Sequence, residues 1–583
     1  MSGGNTFETH NTYCIIKFFF SGFPRMSSES IIKSNTISME KAEQWPSSQN
    51  TAEPVTLTLA TTIQWKNTQQ PRSPKWGEDP VSRLIGDMTG VSLQVEIGGE
   101  EIPGPSLADM LIAAGEFPDL IHVSDQADME KLSQPGYTCP LDTLAEQYCP
   151  EFWDNFDPME RLNHTAADGH VYAIAKGYRG DAFYSDPNLP LTPPRMMALR
   201  KDWLDRMGAS MPQSVEELEG LLYRVLDRAE ELGIHVPLRL TGPLDAPLSD
   251  WMGLAQEPVW DEAAQAVRMP YREQQWLDYF RMLNRWYRDG VLGLPEDGEW
   301  SDYLMATRDG SFATGYDSSL AYAAQALYLM RDGDRAHDTP FPYAVIERPL
   351  TVEGEVRLYA SDNATASTAV SVHTGALMIG SSSLKQERAI QFMHFLSSKE
   401  GAKLTRWGIE GVHYERTEDG YVRFIGDYRY PDNYVFDAGT EKRRMAGIDY
   451  WLLMENTVVN GLLDASPEAY YTNSDRIALR AMEIRAGQQY KTYAAQNRNP
   501  VLAFAEIRPG HALEPAAQRI RQAWEQAAWE MVTAGTDQEA VQIWETLQAQ
   551  LKQLGLDEVE AAMTEQYLSA LERYQQAGYF LEE

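Results

Sequence analysis

The sequence predicts an α/β protein with extra helices at its C-terminal end, and three observations carry that prediction. From Pro54 onward, short runs of alternating apolar residues take turns with runs of helical spacing. A comparable alternation restarts around residues 196–240, and from 511 onward the pattern is helical throughout.

In the first series, Val55, Leu57 and Leu59 alternate as a strand, Pro80 to Met88 reads as a helix, and Val91, Leu93, Val95 and Ile97 alternate again. Leu107 to Ala114 forms the next helix, Gly115 ends it, and Leu120 to Val123 is a short apolar strand. This βαβαβ order implies a parallel sheet with right-handed crossovers. Tyr172 to Ala175 supplies a further strand.

In the second series, Met197 to Arg200 end a strand, Asp202 is placed to cap a short helix over Trp203 to Met207, and Gly208 supplies a left-handed stop. Ser214 with Glu217 reads as a capping box. Leu218, Leu221, Leu222, Val225, Leu226, Ala229 and Leu232 then follow at helical spacing until Gly233, ahead of a strand over Ile234 to Leu240. The helix Gln274 to Tyr287 carries Trp276, Phe280, Leu283 and Tyr287 on one face. Further on, Ser383 with Gln386 and Ser397 with Glu400 read as capping boxes opening two helices that stop near Gly408.

The C-terminal part shows three apolar stripes: Ile520, Trp524, Ala528 and Met531; Val541, Trp544, Leu547, Leu551 and Leu554; and Val559, Met563, Tyr567, Leu571 and Tyr574. Such stripes are core-facing, because an isolated helix gains its stability mainly by packing one face. No internal repeat is visible.

Two blocks carry a family resemblance. The run Leu199 to Leu218, LRKDWLDRMGASMPQSVEEL, resembles the extracellular solute-binding proteins of carbohydrate ABC importers, in particular the large lipoproteins of Gram-positive bacteria. In Gly375 to Tyr414, the residues Gly408, Glu410, Gly411 and Tyr414 match that family's Gly-x-Glu-Gly-x-x-Tyr after a helix pair. The resemblance spans roughly 54–577. It implies a two-lobed periplasmic-binding-protein-like fold of type II, with lobes that the chain crosses between more than once. The expected boundaries are a leader over 1–53, lobe 1 over 54–180, lobe 2 over 181–304, a return to lobe 1 over 305–372, lobe 2 and hinge over 373–510, and the C-terminal helices over 511–583.

Composition narrows the function. There are 50 basic against 85 acidic residues, a net charge of −35, which repels a phosphate backbone and argues against nucleic-acid binding. The three cysteines, Cys14, Cys139 and Cys149, make neither a disulfide framework nor a CxxC pair, although Cys139 and Cys149 could pair in an oxidising compartment. The apolar run Cys14 to Phe23 is too short to span a bilayer and is broken by Lys17. Family members carry a basic start and a lipobox. Neither is recognisable around Cys14, and residues 24–53 read as a flexible tether, so a membrane is expected only through a lipid anchor. The family places such proteins outside the cell, at its surface.

Ligands of parallel α/β sheets lie beyond the carboxyl ends of strands, and sugars need planar rings for stacking beside polar partners. With 15 Trp and 29 Tyr the chain is well supplied. Trp65, Tyr178, Trp251, Tyr316 and Trp407 fall in or beside predicted loops, and Asp125 and Arg200 are the polar candidates. For each aromatic, ordinary packing is the competing role. For Arg200 it is an ion pair within the lobe.

Some relatives hold calcium after the long helix. Here that position, Asp227 to Gly233, lacks alternating oxygen ligands, and no calcium is expected there. His164 and His170 have no metal-like spacing, and Ser381 to Ser383 is a helix start rather than a nucleophile. No cofactor motif appears.

The expected function is a non-enzymatic receptor that closes over an oligosaccharide and presents it to ABC permease subunits, as a monomer. The alternatives are a secreted glycoside hydrolase, which needs two carboxyl groups flanking the scissile bond, and a sugar-sensing surface receptor without a transporter.

Overall fold

A computed structural model describes residues 53–61, 75–97, 105–166, 168–175, 179–191, 195–240, 242–244, 247–294, 311–317, 343–359, 375–429, 436–451, 453–454, 456–472, 474–496, 498–507 and 511–579. The predicted leader lies outside these residues.

The strands are β1 (Val55–Thr61), β2 (Val91–Ile97), β3 (Leu120–Val123), β4 (Ala173–Ala175), β5 (Arg195–Arg200), β6 (Val236–Arg239), β7 (Val259–Asp261), β8 (Ala266–Arg268), β9 (Leu292–Gly293), β10 (Ser311–Asp317), β11 (Tyr343–Val345), β12 (Ala376–Ile379), β13 (Tyr414–Arg416) and β14 (Val422–Phe424). β7 pairs with β8 and β13 with β14 as antiparallel hairpins, and the others build two five-stranded sheets.

The first sheet has the order β2-β1-β3-β12-β4, and the second, read from its far edge, β9-β6-β10-β5-β11. In the first, β2, β1 and β3 run parallel, β12 runs against them, and β4 runs against β12. The second repeats this strand for strand: β9, β6 and β10 are parallel, β5 opposes them, and β11 opposes β5. One architecture is thus built twice from sequences without visible repetition, since a buried strand requires only apolar side chains of fitting size.

The pairing reverses two expected lobe assignments. β10 and β11, from the stretch 305–372, belong to the second sheet, whereas β12, from 373–510, completes the first. The helices Gln386–Ser397 and Lys399–Trp407 follow β12 into the first core, where Phe392, Met393 and Trp407 pack with Leu57, Leu120 and Leu377. An apolar run signals a strand but does not identify its neighbours, which is why the assignments came out exchanged.

The C-terminal helices Glu514–Thr533, Asp537–Gln553 and Leu556–Gln576 share one core with the second sheet, where Trp524, Trp544 and Tyr574 are clustered with Trp276, Phe280 and Leu238. Burying each such large apolar side chain contributes roughly 1.5–3 kcal/mol. On the helix Gln274–Arg288, Trp286 is buried and the expected Tyr287 is 39% exposed, one position off the stripe.

Helix starts follow the predicted chemistry with local shifts. Ser214 accepts from the Glu217 amide at 3.1 Å, but Glu217 returns its bond to the Gln213 amide, 2.8 Å away, so the box closes one residue early. The long helix also breaks at Arg228 into Val215–Asp227 and Ala229–Leu232. Ser398, not Ser397, caps Lys399–Trp407. Ser383 is not the cap: the helix Gln386–Ser397 starts after Lys385 without a side-chain cap, and the Ser383 hydroxyl accepts from the Lys385 amide at 3.1 Å and donates to Asp119 at 2.7 Å. Asp202 is not a cap either. Lys201–Met207 begins without a side-chain cap, and Asp202 is taken up by Arg200.

Cys139 and Cys149 are both buried and free, so the open question of their pairing closes against a disulfide. No helix among the described residues is long and apolar enough to cross a membrane.

Candidate functional site

The strand directions define one edge of each sheet on which loops converge. In the first sheet, Val123 and Ala175 both lie opposite Ala376, and Thr61 lies opposite His122. The carboxyl ends of β1, β3 and β4 therefore share an edge with the amino end of β12. In the second sheet, Asp317 at the end of β10 faces Arg195 at the start of β5, and Thr314 faces Arg239 at the end of β6.

The chain passes from the carboxyl end of β4 to the amino end of β5, and from the carboxyl end of β11 to the amino end of β12. Both crossings tie carboxyl edge to carboxyl edge, the side on which open α/β sheets take ligands. At the second crossing only glycine fits Gly375: its φ is +60°, and a Cβ there would stand 2.1 Å from the Val123 carbonyl oxygen.

A third link is the helix Ser474–Gln496. Arg480 near its start bonds the Asp464 carbonyl, beside Leu463 of the first core, while Tyr490 near its end lies in the second core. The crossing segment after β4 is fastened along this helix. The Leu191 amide donates to the Gly487 carbonyl at 3.2 Å, and a Cβ on Gly487 would meet the Leu191 carbonyl oxygen at 2.0 Å. The buried Lys491 ammonium donates to the carbonyls of Phe183, 3.2 Å away, and Asp186, and burial lowers its pKa. Just past β11, Glu347 accepts two bonds from Arg485, at 2.7 and 2.8 Å. These linking residues were missed in the sequence. The one available signal was Gly487, a lone glycine in a helical pattern, which marks a close packing contact.

The seven candidates separate clearly on this frame. Trp65 and Tyr178 lie outside the described residues, although the strands leading to them, β1 and β4, end on the carboxyl edge. Asp125 stands on that edge. It is exposed, and it caps the helix Gln126–Leu132 by accepting from the Asp128 amide at 3.0 Å. Tyr316 lies near the carboxyl end of β10, paired with Met196.

Arg200 lies on the other edge. β5 is the reversed strand, so its carboxyl end, opposite Tyr343, points away from the loops. The guanidinium is engaged by both Asp202 oxygens, at 2.8 and 2.6 Å, and stacks 4.0 Å from the Trp203 ring centroid. The competing ion pair is what forms. Trp251 and Trp407 are core residues, each fully buried. Trp251 donates its indole N–H to the Tyr490 hydroxyl at 2.8 Å, and Trp407 packs edge-on against Tyr414 with centroids 5.5 Å apart. Large aromatics beside predicted loops were placed near ligand because sequence does not reveal which side of a helix end is covered.

His164 caps the helix Pro158–Asn163 from its C-terminal end, and His170 bonds Asp142 at 2.8 Å, which raises its pKa. Glu231, in the stretch Asp227 to Gly233, is tied to Arg228 at 2.8 and 2.5 Å.

No protein-family model matches the chain. In sequence it is 21% identical to the lipoprotein LipO of Bacillus subtilis over 380 residues, 59% of this chain and 66% of that protein. It is 26% identical to the fructooligosaccharide ABC transporter substrate-binding protein FusA of Streptococcus pneumoniae over 167 residues, 27% of this chain and 29% of that protein. The chain thus spans less than two thirds of the length of either curated relative. In structure it matches an extracellular solute-binding protein from Bifidobacterium longum subsp. infantis with a TM-score of 0.59 at 13% identity, covering 89% of this chain and 99% of that one. In fold, the chain is similar to solved solute-binding proteins of two-lobed, type II architecture.

Proposed function

We propose that this protein is the substrate-binding component of an ABC importer and holds an oligosaccharide between two lobes that close about a hinge. The observation that carries the proposal is the doubled sheet, joined carboxyl edge to carboxyl edge by two crossings and one long helix. That arrangement brings two rigid bodies to one ligand, and the ligand favours the closed form because only then do both lobes contact it. The similarity to FusA, a fructooligosaccharide-binding protein by name, supports a carbohydrate ligand. The protein works outside the cell as a monomer, delivers the bound sugar to permease subunits and performs no reaction on it.

Oligosaccharides screened at about 100 times their Kd should stabilise the fold by about 2.7 kcal/mol and compact the particle in small-angle scattering. If no sugar does either across plant and microbial oligosaccharides, the proposal fails; if a bound sugar is recovered as shorter products, the receptor is a hydrolase instead.

Asp125 offers a residue-level check. Asp125→Ala removes a helix cap and should cost about 1 kcal/mol, whereas Asp125→Asn keeps the cap and should leave stability within a few tenths. A loss of sugar affinity in the Asn variant at unchanged stability would assign the carboxylate to the ligand. Unchanged affinity would leave Asp125 a cap alone.

A further inference from the structure

Away from both carboxyl edges, three side chains with different donor atoms meet where the turn after the helix Leu141–Tyr148 touches the helix Gln386–Ser397. Cys149 ends the first helix, Glu151 lies in the 3-10 turn Pro150–Asn155 that follows, and His394 stands in the last turn of the second. The Cys149 Sγ, a Glu151 carboxylate oxygen and a ring nitrogen of His394 all lie within 4.8 Å of one another.

The cluster has a dry side and a wet side: Cys149 is 2% exposed, His394 is half-buried and Glu151 faces solvent. The histidine is also held in place. The Asn155 amide nitrogen lies 3.1 Å from its Nδ1 and donates to the His394 carbonyl at 3.0 Å and to Ser397 Oγ at 3.1 Å. An amide nitrogen only donates, so His394 must turn its ring out of this contact to offer a nitrogen to an ion.

The donor set selects the ion. Calcium and magnesium take oxygen ligands almost exclusively, whereas sulfur, nitrogen and oxygen together suit zinc. With bonds of about 2.0–2.3 Å, ligands of a tetrahedral zinc stand about 3.3–3.8 Å apart, so loading the ion draws the three donor atoms closer by at most about 1.5 Å. Packing alone accounts for a buried cysteine. A hydrogen bond with Glu151 accounts for the carboxylate beside the sulfur, and the imidazole of His394 adds a third donor within the same reach.

We propose that Cys149, Glu151 and His394 form a zinc site, with water as fourth ligand, that staples the turn Pro150–Asn155 to the helix Gln386–Ser397. Loading releases the thiol proton to solvent, and thiolate plus carboxylate then balance the two charges of the ion.

The test uses the full reduced chain freed of metal. Cobalt(II) titration should produce a sulfur-to-cobalt charge-transfer band, zinc should displace the cobalt, and elemental analysis should find one zinc per chain. Cys149→Ser should abolish the band, and Cys139→Ser, at the other buried thiol, should keep it. Glu151→Gln, an exposed change that leaves the metal-free fold intact, should weaken zinc binding at least about tenfold, so the readout survives even if Cys149→Ser misfolds. Absence of the band in the unaltered chain overturns the proposal, as does zinc binding that Glu151→Gln leaves unchanged.

Discussion

Replacing Trp251 with alanine is expected to destabilise the second lobe by about 3–5 kcal/mol, the cost of emptying a large aromatic site in a core that relaxes only partly. Trp251 is fully buried at the end of the short helix Leu248–Trp251, among the aromatics that hold the second sheet to the C-terminal helices. Its removal also leaves the buried Tyr490 hydroxyl without the bond it makes at 2.8 Å. That bond fastens the end of the long linking helix, so the loss should appear in urea unfolding followed by near-UV circular dichroism. Trp251→Phe keeps most of the volume and should retain sugar affinity. If Trp251→Phe folds with unchanged stability yet no longer binds sugar, Trp251 belongs to the ligand after all.

The second large effect is acid lability centred on His413. Its ring is fully buried, Nδ1 accepts from the Ile409 amide at 2.8 Å, and the Tyr428 ring stands edge-on with centroids 4.9 Å apart. The other ring nitrogen has no partner among the described residues. Burial disfavours the charged form and pushes the pKa down to about 3. An unfolded histidine titrates near 6.5, so between these values only the unfolded chain takes up the proton. Stability is therefore full above about pH 6.5 and falls as pH drops toward 3, by up to about 5 kcal/mol at roughly 1.4 kcal/mol per unit. His413→Asn keeps an acceptor for the Ile409 amide but cannot titrate, and its stability should fall less steeply over this range. Parallel curves for the two proteins between pH 6.5 and 4 would sink the idea.

Local signals in the sequence were strong where one residue's own chemistry decides the outcome. The Gly115 and Gly233 stops, the helix Leu107–Ala114 and the strand Leu120–Val123 appear as expected. Errors of one residue arose where two adjacent residues offer the same chemistry. Ser397 and Ser398 both have hydroxyls, and only the tertiary position of Ser397, bonded by Asn155 at 3.1 Å, frees Ser398 for the cap.

Readings that needed long-range information fared worse. Which sheet receives β10 or β12 depends on pairings far apart in sequence. Whether a strand end faces the ligand side depends on strand direction, and for Arg200 the reversed β5 changed the answer. The same holds for Trp251 and Trp407, whose burial is decided by residues brought from elsewhere in the chain.

The reversed strands also set a timetable for folding. β12 lies between β3 and β4, pairing Ala376 with both Val123 and Ala175, so the first sheet stays open until the chain has been made past the second lobe's last strand. Such distant pairings pay their loop-closure entropy before any contact rewards it, and they fold slowly. Until then β3 and β4 are raw edges, each able to pair wrongly with another chain. A nascent or truncated polypeptide ending before residue 376 is thus left without a finished first lobe, whatever the soundness of the segments already synthesised.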